Sequence, residues 1–419
     1  MNFDRRKATI GDMSPSFATL VIRLVILQCV FMENPDDLAA GIETTPHFKR
    51  FSQRNDVFSR AFWDDTVRSA ASQAFFASYR MEAIPRRGDG FTQKDFALRN
   101  ASWLISDIMT DRFAADGRRE GFQAPISNDT PVAGEKVHFE TPSAASANVK
   151  KAAVFFGADL CGVTDLDPRW LYEDRVDVRD MSTAPLGLPE GLTHVVVLGH
   201  EMDPELVRSY PSALGGAATG REYSHEAAIV MQLAAYIRNL GYQAVASMND
   251  TGLIIPMAVQ AGLGEYARNQ LVITKKFGPR LRFSKIFTDM PLVASTPKKF
   301  GVKEFCDICD RCASACPPKA IPHGEQNDQV LNRSNLIGVV KWTTDAEKCF
   351  KFWANQNSDC SICIRACPYN RLVTRTMMRW YHRFWHKLAS SRLRKLALWL
   401  DDQIADRSRH KSGWWWARK

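Results

Sequence analysis

The chain has 419 residues, enough for two or three packed units at about 100–200 residues per domain. With 45% hydrophobic and 24% charged residues it is an ordinary globular composition, which excludes a disordered or fibrous protein. The formal charge of +9 is unevenly placed: from Arg371 to Lys419 thirteen Lys or Arg stand against Asp401, Asp402 and Asp406, about +10, which leaves about −1 for the rest. A near-neutral body speaks against a nucleic-acid partner, and a basic tail speaks for a local surface contact.

In chain order, Phe17 to Met32 is an apolar run broken by Arg23 and Gln28, short for a bilayer span of about 20 residues. Arg5, Arg6 and Lys7 precede it, yet no small-residue cleavage site follows, so a packed or interfacial helix, a signal peptide and a membrane anchor all remain open. Residues 48 to 111 are aromatic-rich and compatible with helix. Gly117 to Ser143 is polar with scattered Gly and Pro and reads as a long loop or linker. A new unit begins near Ala144: Val149, Ala152, Ala153 and Phe156 recur at helical spacing, with Gly157 as a C-cap. Val195 to Gly199 is a β-branched run with the marks of a buried strand. His225 to Leu240 is the clearest helix, with Ile229, Leu233, Tyr236, Ile237 and Leu240 on one face, Ser224 as N-cap and Gly241 as C-cap. Strands and helices alternate on to Leu292, so the middle unit is α/β or α+β. Gly215-Gly216-x3-Gly220 is a flexible-loop signal and not a P-loop, and no dinucleotide fingerprint occurs.

Eight of the ten cysteines fall between Cys306 and Cys367, with only Cys29 and Cys161 elsewhere. Such clustering in a long chain points to metal and not to a disulfide scaffold. The first run is Cys306-x2-Cys309-x2-Cys312-x3-Cys316-Pro317; the second is Cys349-x10-Cys360-x2-Cys363-x3-Cys367-Pro368. A cubane cluster takes four thiolates, and in two-cluster ferredoxins the fourth cysteine of such a run ligates the other cluster. The spacing therefore assigns Cys306, Cys309, Cys312 and Cys367 to one [4Fe–4S] cluster and Cys349, Cys360, Cys363 and Cys316 to a second. Zinc also accepts four thiolates, but zinc sites rarely repeat a run ending in Cys-Pro. Paired clusters form a one-electron relay, so the chemistry is redox.

Several segments then resemble the corrinoid-dependent reductive dehalogenases: Leu240-Gly-Tyr-Gln, Ser247-Met-Asn-Asp-Thr-Gly252, Ala261-Gly-Leu-Gly264, Leu271-Val-Ile-Thr274, Phe277-Gly-Pro-Arg280 and Lys285-Ile-Phe-Thr-Asp-Met-Pro291. Arg60-Ala-Phe-Trp-Asp64, Gly157-Ala-Asp-Leu160 and the long Cys349 to Cys360 gap are similar too, so the resemblance covers roughly residues 48–371. It implies an α+β protein with a nitroreductase-like core that binds a cobamide, a ferredoxin-like unit beside it, and reductive removal of halide from an organohalide. The implied layout is an N-terminal apolar segment at 1–47, a helical unit and linker at 48–143, the cobamide-binding core at 144–300, the two-cluster unit at 301–375 and a basic aromatic tail at 376–419. By position, Tyr223 is the implied proton donor, Arg282 its cationic neighbour (with Lys285 as the fallback) and Asn249 a polar group beside the substrate. Thr251, Gly252, Gly262, Leu263 and Gly264 are the implied cobamide contacts. No Asp-x-His-x-x-Gly segment occurs, in keeping with the family's base-off cobamide. From the residues alone, Tyr223 just ahead of Ser224 would also feel the positive end of a helix dipole, and Arg282 would favour its anion.

Two rival readings stay in view. Epoxyqueuosine reductase, a cobamide enzyme acting on tRNA, would use an Asp in place of Tyr223 and show a basic body. A non-catalytic iron–sulfur electron-transfer subunit would use the middle unit only for docking. The tail, with Trp380, Trp385, Trp399 and Trp414 to Trp416 among basic residues, has the composition of a membrane-interface helix; Tyr381, Phe384, Leu388, Leu396 and Leu400 supply its apolar side. An external electron-donor protein and a membrane surface or membrane-anchor subunit are the expected partners. Arg5-Arg6 lacks the residues expected after a twin-arginine export pair, which favours the cytoplasmic face of the membrane.

Overall fold

The computed structural model describes residues 35–78, 88–115, 131–371 and 376–417. The apolar run at Phe17 to Met32 and most of the linker at 117–143 lie outside the described residues. At the centre is a four-stranded sheet of β1 (Leu160–Asp165), β2 (His194–Glu201), β3 (Ala244–Ser247) and β4 (Leu281–Thr288), in the order β1-β2-β4-β3 with every neighbouring pair antiparallel. Both faces of β2 and β4 are buried, which accounts for the unbroken Val195-Val-Val-Leu run.

Strand alternation divides the side chains between two layers. Val196, Leu198, Ala244, Ala246 and Ile286 face two helices, α1 (Pro142–Phe156) and α2 (Ala213–Asn239). Val195, Val197, Phe283 and Phe287 face the opposite layer, around α3 (Ile254–Gln260). Helix α1 starts at the Thr141 cap and ends at Gly157, whose φ of 112° suits glycine. The expected α+β class and the helix near Ala144 hold.

Helix α2 corrects the sequence reading. It begins at the Ser212 cap, not at Ser224, and its 27 residues take in the glycines read as a loop. Those glycines serve packing: a Cβ on Gly215 would sit 2.9 Å from the Tyr210 ring, and one on Gly220 would strike Trp103. Ser224 bonds sideways, its hydroxyl donating to the Ser102 carbonyl (2.7 Å) and accepting from the Ser106 amide (3.2 Å). Tyr223 thus lies mid-helix, where no helix-end dipole assists its anion.

Beyond the sheet come the short cluster helices, Arg311–Ala315 and Ile362–Ala366, then two tail helices, Thr376–Ala389 and Arg394–Ile404. The tail is packed on the body. Trp385 is wholly buried against Phe305 and Tyr369, with ring centroids 5.3 and 5.0 Å away, and its indole donates to the Ala397 carbonyl. The Arg371 guanidinium lies 4.1 Å from the Trp385 ring and pairs with buried Asp401, as does Arg407. Further along, Ser412 and Arg409 bind Asp89, and Trp416 binds Asp95. Trp380, Phe384 and Trp399 remain exposed.

Because Trp385 fills the space between tail and cluster unit, Trp385→Ala should cost about 3–5 kcal/mol of stability, measured as a drop in denaturant midpoint. Loss of well under 1 kcal/mol would show a detachable tail.

Candidate functional site

The eight thiols lie close together in two neighbouring groups, with Cys312 near Cys363 where the groups meet. Cys306, Cys309, Cys312 and Cys367 line one small void of about 20 Å³, together with Phe305, Arg268 and Pro368. Cys349, Cys360, Cys363 and Cys316 are one another's electrostatic neighbours. Burial pushes the thiols of Cys312, Cys349 and Cys360 up to about 12, so thiolates persist there only when a cation compensates them. Four thiols around a void suit the four corners of a cubane.

Sequence reasoning missed the residue that fixes the first cluster loop. Arg268 is buried and donates to the carbonyls of Cys306, Cys309, Pro322 and Gly324, while its guanidinium stacks 4.9 Å from the Trp342 ring.

On the other side of the core, Tyr223, Arg282 and Asn249 meet. The Tyr223 ring stacks on Trp103 (centroids 4.8 Å apart), and the Arg282 guanidinium lies 4.0 Å from its centroid. Asn249 Nδ2 donates to the Tyr223 hydroxyl at 2.5 Å, and Arg282 Nη2 donates to Asn249 Oδ1 at 3.2 Å. Burial is the largest influence on the phenol and pushes it up to about 12; Arg282 and Asn249 pull the other way. The phenol therefore keeps its proton at neutral pH, the state a proton donor needs, because burial outweighs the help that Arg282 gives its anion.

Strand parity separates the two cations. Arg282 is paired across the sheet with His200 on the helix α2 side. Lys285 lies on the opposite face and donates to the Met248 and Asp250 carbonyls, 2.7 Å each. It fixes the loop that carries Asn249, and the fallback role beside Tyr223 is not where its ammonium points. Buried Asp250 tightens the same loop by accepting from the Met248 amide and the Thr251 hydroxyl, and Tyr172 holds the Asn249 carbonyl. Trp103 and Tyr172 had no sequence signal beyond their type.

A cavity of about 340 Å³ opens from Asn249, walled by Trp170, Tyr172, Leu253, Ile254 and Tyr266, with Gln270 at the rim. Tyr266 carries the wall towards the first cluster, since Cys306 acts on its phenol. The walls are mostly apolar with a few amide groups, and the volume is within the usual range for small-molecule sites. Thr251, Gly252, Gly262, Leu263 and Gly264 do not line this cavity. Thr251 takes a positive φ of 67°, and the three glycines press on backbone: Gly252 on Trp170, Gly262 on Thr296 and Gly264 on Ile273.

This arrangement has counterparts. Residues 305–370 match the family described as a 4Fe-4S double cluster binding domain. Over 280 residues the chain is 38% identical to the tetrachloroethene reductive dehalogenase of Desulfitobacterium hafniense, covering 58% of this chain and 51% of that protein. The chain is homologous to the reductive dehalogenases. The tetrachloroethene reductive dehalogenase of Sulfurospirillum multivorans is 34% identical over 248 residues, 53% of this chain and 50% of the other. The chain thus spans about half the length of the curated relatives it matches. Among solved structures, the catabolic reductive dehalogenase NpRdhA superposes with a TM-score of 0.68 at 22% identity, covering 88% of this chain and 48% of that one, and so shares this fold.

Cys363→Ala should remove one cluster's worth of iron from the full load of about eight. Retention of all the iron in that variant, by metal analysis, would overturn the ligand grouping.

Proposed function

We propose that the chain is the catalytic part of a reductive dehalogenase, taking electrons through two [4Fe–4S] clusters to a cobamide that removes halide from an organohalide. The observation that carries this reading is a buried Tyr223 held by Asn249 and Arg282, with Asn249 also lining an apolar cavity whose wall residue Tyr266 is within electrostatic reach of Cys306. A cobamide supplies, when bound, a low-valent metal able to reduce a carbon–halogen bond. The residues placed to hold it are those of the cavity wall, Trp170, Tyr172, Leu253, Ile254 and Tyr266, with Thr251 and Gly252 shaping the adjoining loop.

The protein's own contribution is then concrete. The apolar walls exclude water from the reacting carbon. Tyr223 gives its hydroxyl proton to that carbon as halide leaves. Arg282 and Asn249 stabilise the phenolate that remains, the first by charge and the second by its hydrogen bond. Before the transfer, burial keeps the phenol protonated; afterwards, the same two groups limit what the anion costs.

Electrons would come from an external donor protein. The exposed Trp380, Phe384, Leu396 and Trp399 beside a basic tail support association with an anionic surface at the cytoplasmic face of the membrane. Among the described residues no helix is long and apolar enough to cross a membrane.

The experiment is halide release from chlorinated and brominated aromatics and alkenes with reduced viologen as donor. Tyr223→Phe, which keeps the ring, should lower turnover by about 10²–10⁴-fold while iron and corrinoid content persist. Arg282→Lys should be milder than Arg282→Met, since a cation remains. Wild-type turnover in Tyr223→Phe would remove Tyr223 as the proton source. For the tail, replacing Trp380 and Trp399 by Ser should reduce sedimentation with phosphatidylserine vesicles severalfold; unchanged binding would place the contact elsewhere.

A further inference from the structure

Tyr223 must regain a proton after every turnover, and it is buried under Trp103 and Arg282. Two carboxyls on its own helix have no role in the chemistry described so far. Glu226, one turn beyond Tyr223, is wholly buried, and neither of its carboxyl oxygens has a hydrogen-bond partner. Glu222 is also buried and lies four residues before Glu226, so the two are stacked on one face of helix α2. A buried carboxyl without a partner costs stability, and packing alone would be better served by an apolar residue.

The surroundings order these groups from the site to the surface. Glu226 is within the electrostatic reach of Tyr223, Arg282, Lys285 and Glu222. Glu222 faces Arg221, Asp159, Glu201 and Asp203. Arg221 Nη1 lies 3.1 Å from Glu222 Oε1, without the alignment of a hydrogen bond, and His225 Nδ1 lies 4.0 Å from Oε2. Arg221 and His225 are both about half exposed, so this end of the row meets solvent. His200, across the sheet from Arg282, is held neutral by burial and bonds Ser284, and Lys285 is engaged by the Met248 and Asp250 carbonyls.

We propose that Glu226 and Glu222 form a proton relay that reloads Tyr223 from the solvent edge at Arg221 and His225. The idea rests on Tyr223 being the proton donor of the dehalogenation. The balance is simple: the phenolate left after transfer takes a proton from the Glu226 carboxyl, directly or through one water. The Glu226 carboxylate takes a proton from Glu222, and Glu222 takes one from solvent. No electrons move along this path. Burial pushes Glu226 up to about 8 and Glu222 up to about 7, which keeps both able to donate and to be reloaded near neutral pH.

The first test is independent of dehalogenation. Infrared spectra of the purified protein should show a buried carboxylic-acid carbonyl band that titrates upward of neutral pH and is absent from Glu226→Gln. On transfer to D2O that band should shift promptly in the wild type and about tenfold more slowly in Glu222→Gln. Absence of the band, or equal exchange in the two proteins, overturns the relay even if halide release is never observed. The second test uses reduced, cofactor-loaded enzyme. One equivalent of organohalide should react in Glu226→Gln within about twofold of the wild-type rate, because Tyr223 starts protonated, while steady-state turnover falls about 10²-fold. An unchanged steady state, or a first turnover lost to the same degree, would reduce Glu226 to a structural residue. A wild type that shifts its band in D2O yet releases no halide would leave the relay standing and remove the dehalogenase reading alone.

Discussion

Four backbone carbonyls converge on one buried guanidinium, that of Arg268, and the positions of the other functional parts follow from this clamp. Arg268 belongs to the core, two residues beyond Tyr266 on the cavity wall; its acceptors belong to the loop that carries Cys306, Cys309 and the turn after Ala320. Hydrogen bonds to a charged group are stronger than neutral ones, and a guanidinium can satisfy several acceptors in one plane. The cation also sits beside four thiols that become anionic when metal binds, so the same group that ties the two units offsets charge at the cluster. Without it, the distance between cavity and first cluster would depend on apolar packing alone.

Around Tyr223 the design is a balance between burial and charge. Full burial would make the phenol a poor acid; a single cation and one amide hydrogen bond reduce that penalty without removing it. Holding the balance takes three layers of support. Gly220 lets Trp103 approach the helix, Lys285 and Asp250 stiffen the loop under Asn249, and Tyr172 pins its carbonyl. The Tyr223 hydroxyl is thereby aimed along one direction, which a residue at a frayed helix end would not guarantee.

The cluster ligands were legible because their order is a short-range property: spacing along the chain specifies which cysteines share a loop. The strand at Val195 and the helix at Ala144 were legible for the same reason, since their periodicity and caps are local. Tyr223, Arg282 and Asn249 could be placed by resemblance, and the fold brings the three side chains together, but the reason for it was not visible. Ser224 looked like a cap because Gly215, Gly216 and Gly220 looked like a loop. In three dimensions those glycines face Tyr210, Asp359 and Trp103, partners distant in sequence that no local pattern announces. Arg268 and Glu226 were illegible for a related reason: a charged residue in a helix or turn reads as solvated until the surroundings show it is buried.

The tail's contacts with Asp89 and Asp95 have a temporal side. Ser412 and Asp89 are 323 positions apart, so the shoulder near Asp95 is completed only after the segment around Ser412 has been made. Every cluster cysteine leaves the ribosome earlier, ahead of Trp385 and the helices that cover Phe305 and Tyr369. At about 5–20 residues per second, the roughly forty-five residues from Cys367 to Ser412 give the open thiol loops an interval of a few seconds. Iron delivered in that interval meets the thiol loops before Trp385 closes over Phe305 and Tyr369.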